Sequence, residues 1–169
     1  KNKVFSLEYP SSWSPSTENK MEQVMISSYI EESNTEIVVA LMPINKTIYG
    51  GNFKAYFDNT VNNYKRIPTN QIVSVSFSEN EGKVTYLNAD NVRGTLYCKK
   101  NKDVVVNFIV VSEDKLYRAY ADTLAAIMSS LKVHAADIEI VDVNSFADIR
   151  RNTTSATIDK IVISNTREK

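Results

Sequence analysis

The sequence predicts an α+β fold, with one antiparallel sheet flanked by two amphipathic helices and a further β-containing stretch at the C-terminal end. Strand-like segments come in runs with helices inserted between the runs, whereas a parallel βαβ sheet would alternate them one by one. Apolar residues recur at helical spacing in two places, after residue 52 and after residue 113. Residues 103–111 are apolar on both faces, which marks a central strand that must be covered from both sides.

Each element has its own local reason. Val4 to Tyr9 alternates, so Phe5, Leu7 and Tyr9 share a face, and Pro10 ends the strand. Glu22 to Ile30 and Thr35 to Met42 form a hairpin around the polar turn Glu31-Glu32-Ser33-Asn34. Gly50-Gly51-Asn52 interrupts the chain, and Phe53, Tyr56, Phe57, Val61 and Tyr64 then mark one helix that Pro68 forbids from continuing. Gln71 to Ser78, Lys83 to Asn88, Val92 to Lys99 and Asp103 to Val111 read as a meander, with turn residues Asn80-Glu81-Gly82 and Asp90-Asn91 between strands. Glu113 and Asp114 suit the positive end of a second helix, in which Leu116, Tyr120, Leu124, Ile127, Met128 and Leu131 follow at three- and four-residue steps. Taking the apolar face of every element, Phe5, Leu7, Val39, Leu41, Val73, Val75, Phe77, Leu96, Val106, Phe108, Leu124, Ile127 and Leu131 are expected to share one core.

Beyond residue 134, Ile138 to Val143 and Thr157 to Ile163 are rich in β-branched residues, and Ser145 to Asn152 between them is expected to be a short helical turn. The organisation expected is therefore a domain over 1–134 with an extension over 135–169. Two isolated strands are marginal in water, so those of the extension must pair with an edge of the same domain or, second, with another copy in a strand-exchanged homodimer.

Composition narrows the function. Lys plus Arg equals Asp plus Glu at 20 each, so the basic excess that draws a protein to phosphate is absent and nucleic acid is not an expected partner. With 43% hydrophobic and 24% charged residues the chain is an ordinary globular sequence. Cys98 is the sole cysteine and His134 the sole histidine, on different predicted elements, which supports neither a Cys-His nucleophile nor a zinc site. Cys98 shares a strand face with Val92, Gly94 and Leu96 and reads as a buried thiol. The four glycines form no phosphate-cradling pattern, and the acidic run from Asp137 to Asp148 lacks the glycine and terminal glutamate of a calcium loop. No cofactor or metal is expected.

Aromatic residues are the remaining lead. Trp13, between Pro10 and Pro15, either plugs one end of the fold or presents a platform to a partner. Tyr49, Tyr56 and Tyr64, with Phe53 and Phe57, exceed what one helical stripe must bury, so a groove there would take a peptide or a small apolar ligand. These four residues, Trp13, Tyr49, Tyr56 and Tyr64, are the candidate binding residues.

Phe5-Ser6-Leu7-Glu8-Tyr9-Pro10 followed by Trp13, and Val106-Asn107-Phe108-Ile109-Val110 leading to a helix that closes on Ser130-Leu131-Lys132, resemble the opening strand and the final strand and helix of the PsbP-like superfamily. That superfamily includes extrinsic photosystem II proteins, Ran-binding import factors and DcrB-type bacterial lipoproteins. The resemblance implies an αβα sandwich around a bent antiparallel sheet and a non-catalytic accessory or binding role. The import factors' acidic patch ahead of the first helix has no counterpart here, so the bacterial envelope members are the closest fit. The expectation is an extracytoplasmic binding protein, attached to a membrane only through an N-terminal lipid anchor ahead of Lys1. The alternatives are an intracellular domain of the small-GTPase-binding type and, third, an enzyme of unassigned class.

Overall fold

The computed structural model describes residues 2–16, 24–30, 35–134, 146–152 and 159–165. Strands β1 (Asn2–Tyr9), β2 (Ser14–Ser16), β3 (Val24–Ile30) and β4 (Thr35–Asn45) come first, then the short helix α1 (Lys46–Tyr49) and α2 (Phe53–Lys65). The meander β5 (Asn70–Phe77), β6 (Glu81–Asn88), β7 (Val92–Asn101) and β8 (Val104–Glu113) follows. Helices α3 (Asp114–Ala119) and α4 (Ala121–Ser130) lead to β9 (Lys132–Val133), β10 (Phe146–Asn152) and β11 (Asp159–Asn165).

All strand pairs are antiparallel. The large sheet has seven strands in the order β2-β3-β4-β8-β7-β6-β5, and a second sheet has four, β10-β11-β1-β9. β8 is central, as its two-faced sequence requires, and its alternation divides the interior in two. Val104, Val106, Phe108 and Val110 face one cluster, with Phe5, Leu7 and Tyr9 of β1, Ile37, Val39 and Leu41 of β4, and Leu124, Ile127 and Leu131 from α4 and its end. Val105 faces another, with Phe53, Phe57 and Val61 of α2, Val84, Leu96 and Cys98. The layers are thus α1 and α2, then the large sheet, then α3, α4 and the β1 sheet. A fully buried aliphatic or aromatic side chain stabilises by roughly 1.5–3 kcal/mol, so both faces contribute to holding the sheet.

This corrects the expectation of a single core. Leu96 belongs to the α2 side, while Val73 and Val75 are 48% and 47% exposed and Phe77 is 37% exposed. The cause is position. β5 ends the sheet, its register slips between Ile72 and Ser74, and α2 reaches over only part of it. Two further expectations are corrected. The second helix breaks at Tyr120, whose backbone (φ −104°, ψ 11°) leaves the helical region, so that α3 packs on β7 and β8 while α4 turns onto β1. Residues 146–152, expected as a helical turn, form β10 because β11 lies alongside to complete their hydrogen bonds.

β11 pairs along the whole of β1, from Asn2 opposite Asn165 to Tyr9 opposite Asp159. The strand expected at Ile138 to Val143 lies outside the described residues. Gly50 and Gly51, with φ of 75° and 74°, make the left-handed turn that separates α1 from α2. The Asn52 side chain then accepts a hydrogen bond from the Ala55 amide at 3.0 Å and caps α2. Two other glycines admit aromatic rings: a Cβ on Gly82 would lie 2.6 Å from the Phe57 ring, and one on Gly94 would lie 2.2 Å from the ring of Tyr86.

Candidate functional site

The β6–β7 hairpin presents Glu81, Lys83, Tyr97 and Lys99 on one face, because Lys83 lies opposite Tyr97 and Glu81 opposite Lys99, and alternate residues share a side. The Ser78 amide donates to the Glu81 carbonyl at 2.7 Å and the Lys100 amide to the Asn80 carbonyl at 2.8 Å, which fixes the turn that carries this face. α4 stands across from it and contributes Ala125, Met128 and Ser129, spaced by three and four residues and so on one side of the helix. The end of β5, Ser76 to Ser78, closes a concavity of about 510 Å³, a volume typical of a small-ligand or peptide side-chain site.

Its chemistry is mixed. Ala125 and Met128 provide an apolar wall. The Lys99 ammonium pairs with the Glu81 carboxylate at 3.1 Å. Lys83 makes no ion pair among the described residues, so its charge remains available. Tyr97 is buried; desolvation, then the charge of Glu81 and a hydrogen bond to that carboxylate, push its phenol well above the ordinary tyrosine range, so it stays protonated. An apolar wall and one unpaired cation suit a ligand that carries an apolar group next to an anionic one.

The residues picked from sequence lie elsewhere and do not converge. Trp13 is 2% exposed and packs edge-on to Tyr120 with centroids 6.1 Å apart, on the α4 side of the sheet. Tyr49 at the end of α1 and Tyr56 and Tyr64 of α2 are together on the opposite side, in or against the α2 cluster. Tyr49 is buried and edge-on to Tyr56 at 6.2 Å, and its hydroxyl donates to the Lys102 carbonyl at 3.4 Å. Tyr64 stacks on Tyr86 at 4.8 Å, and burial pushes its phenol up to about 12. The Asn107 side-chain amide, on the same side and fully enclosed, donates to the Tyr56 hydroxyl at 2.8 Å. Cys98 is buried beside this group, and desolvation pushes its thiol up to about 12. The ring of His134 reaches Ser6 Oγ at 2.9 Å beside the β1 sheet, so the Cys98 thiol and the imidazole are on opposite sides of the large sheet. Among the described residues no three of His, Cys, Asp and Glu gather where a metal ion could bind, and no helix is long and apolar enough to cross a membrane.

What sequence reasoning missed was the polar face of the β6–β7 hairpin. Its alternation of Glu81 and Lys83 against Tyr97 and Lys99 was the available signal. That α4 would stand opposite was not readable from any local pattern.

A family model described as PsbP matches residues 1–146. The chain belongs to the PsbP family. Among solved structures, this PsbP-family chain is similar to the solution structure of cyanobacterial PsbP (CyanoP) from Synechocystis sp. PCC 6803, with 10% identity and a TM-score of 0.53, over 78% of this chain and 87% of that one. At such identity the likeness shows the α+β fold alone. A crystal structure from Bacteroides thetaiotaomicron aligns with 11% identity and a TM-score of 0.47, over 78% of this chain and 45% of that one. No curated protein matches the chain by sequence.

Proposed function

We propose that this PsbP-family domain is a non-catalytic accessory module of the bacterial cell envelope, held at the membrane by an N-terminal lipid anchor, and that it binds a peptide or small amphiphilic ligand in the concavity between α4 and the β5–β7 strands. The observation that carries the reading is the make-up of that concavity, in which the apolar wall of Ala125 and Met128 and the unpaired Lys83 offer binding contacts across from each other.

The ligand half of the proposal is tested with the anionic apolar probe 8-anilinonaphthalene-1-sulfonate. Saturable fluorescence enhancement by the native protein is expected, weakened about tenfold or more by Ala125→Glu, at an exposed lining position, and by Lys83→Glu, with both variants melting near the parent temperature. Binding that ignores both substitutions would remove the concavity as the site. Recovery of a small GTPase on the immobilised domain would favour the intracellular reading instead.

A further inference from the structure

The two sheets end in four edges, and three of them are blunted. β2 is three residues long and contains Pro15, β9 is two residues long, and β10 carries Asp148, Arg150 and Arg151 in its sequence. Short length, proline and charge are the usual protections against adding a further strand. β5 has none of these. Its eight residues, Asn70 to Phe77, include no charge and no proline, and its outer side has no partner among the described residues. Its one protection is the bulge between Ile72 and Ser74, beyond which Ser74 to Phe77 stay in continuous register. Apolar surface gathers at the same edge: of the five most exposed large apolar side chains among the described residues, four are Ile67, Val73, Val75 and Phe77.

Charge along the edge says what would cover it. Lys65 and Arg66 precede β5, and Glu79 and Glu81 follow it. Glu81 is engaged by Lys99, while Arg66 and Glu79 are exposed and make no ion pair among the described residues. Lys83 and Asp90 lie one strand further in, on β6 and in the turn after it, and Lys54 of α2, over the Phe77 ring, is neutralised by Asp58, so the line of the edge itself runs from basic to acidic. Eight residues at about 3.3 Å each separate the two ends by more than a Debye length of about 10 Å, so each end acts as its own electrostatic site. A second β5 laid antiparallel brings the basic end of each copy to the acidic end of the other, twice by symmetry. A parallel strand would oppose like charges.

We propose that the β5 edge is a self-association surface, at which two copies of this chain join antiparallel through β5 and continue the seven-stranded sheet across a two-fold axis. Such a pairing is isologous and closes on itself, so it yields a dimer and no fibre.

Sedimentation of the 169-residue chain over a range of concentrations and salt tests this. A monomer–dimer equilibrium that weakens with added salt is expected. Val75→Lys, at a half-exposed position, should abolish the dimer while leaving the melting temperature of the monomer near that of the parent. Arg66→Glu and Glu79→Arg should each raise the dimer Kd about tenfold, and the double exchange should bring it back near the parent value, because the charges then meet again across the two-fold. A chain that stays monomeric up to about 500 µM overturns the proposal. So does a dimer indifferent to Val75→Lys, a double exchange that fails to restore association, or a monomer whose β5 edge captures only an unrelated extended peptide.

Discussion

Replacing Gly82 with alanine would place a methyl group 2.6 Å from Cδ2, 2.7 Å from Cε2 and 2.9 Å from Cγ of the Phe57 ring. Carbon atoms pack best at about 3.5–4.0 Å, so the ring would have to withdraw by roughly 1 Å. It has little room to do so. Phe57 is fully buried in the middle of α2, and the ring of Phe77 stacks on it with centroids 5.4 Å apart. Withdrawal therefore means lifting α2 from the sheet or breaking that stack. Overpacking of this kind costs about 1–3 kcal/mol. Alanine recovers about 0.5–1 kcal/mol by restricting the unfolded chain, leaving a net loss of about 1–2 kcal/mol. For a chain of this length that lowers Tm by about 2–8 °C. Urea and thermal denaturation followed by circular dichroism read the change. Shrinking the ring in the double variant Gly82→Ala/Phe57→Leu should make the alanine less harmful than it is alone. A Gly82→Ala protein as stable as its parent, or more so, would mean that α2 does not rest on the hairpin as described.

The remaining predictions probe the core, the thiol and the C-terminal strands. Phe108→Ala, which empties a fully enclosed site between Leu41 and Tyr97 on the adjoining strands, should cost about 3–5 kcal/mol; a loss under about 1 kcal/mol, by urea denaturation, contradicts the central placement of β8. Phe77→Ala, at the exposed sheet edge, should cost about 1–2 kcal/mol, and an effect equal to that of Phe108→Ala would show that β5 is covered. Cys98 should react slowly with an aromatic disulfide reagent in the native protein and fast in denaturant. Because folding raises its pKa from 9.0 to about 12, the contribution of its protonated form is complete below about pH 9 and is lost as pH rises through that window. The urea midpoint should accordingly fall between pH 8 and 10 more in the parent than in Cys98→Ala, and parallel slopes would refute the burial argument. Deleting 135–169 uncovers the edge of β1 that β11 occupies, so a lower Tm and aggregation are expected, and an unchanged monomeric melt would make this stretch dispensable to the domain.

Much of the architecture was legible because local patterns and global positions agree. The two-faced apolar run of β8 announced a central strand, and alternation in β1 placed Phe5, Leu7 and Tyr9 together as observed. Where the reading failed, the missing information was non-local. The alternation of Val73, Val75 and Phe77 identifies a strand face, but it does not reveal that the strand lies at the edge of the sheet, where α2 covers that face only partly. Phe146 to Asn152 has a weak preference of its own, and β11, some ten residues further on, decides its state. The concavity was the least legible feature, because Lys83, Tyr97 and Met128 come from three elements that only the order of strands brings together. Trp13 and the three tyrosines drew attention as aromatic residues, yet most of their surface is used in packing.

The envelope assignment is most directly tested by expressing the full-length gene in its native host with a C-terminal tag, labelling with radioactive palmitate and treating spheroplasts with protease. A palmitate-labelled product in the membrane fraction that external protease removes is the predicted result. An unlabelled product that fractionates with the cytosol and resists external protease would contradict it.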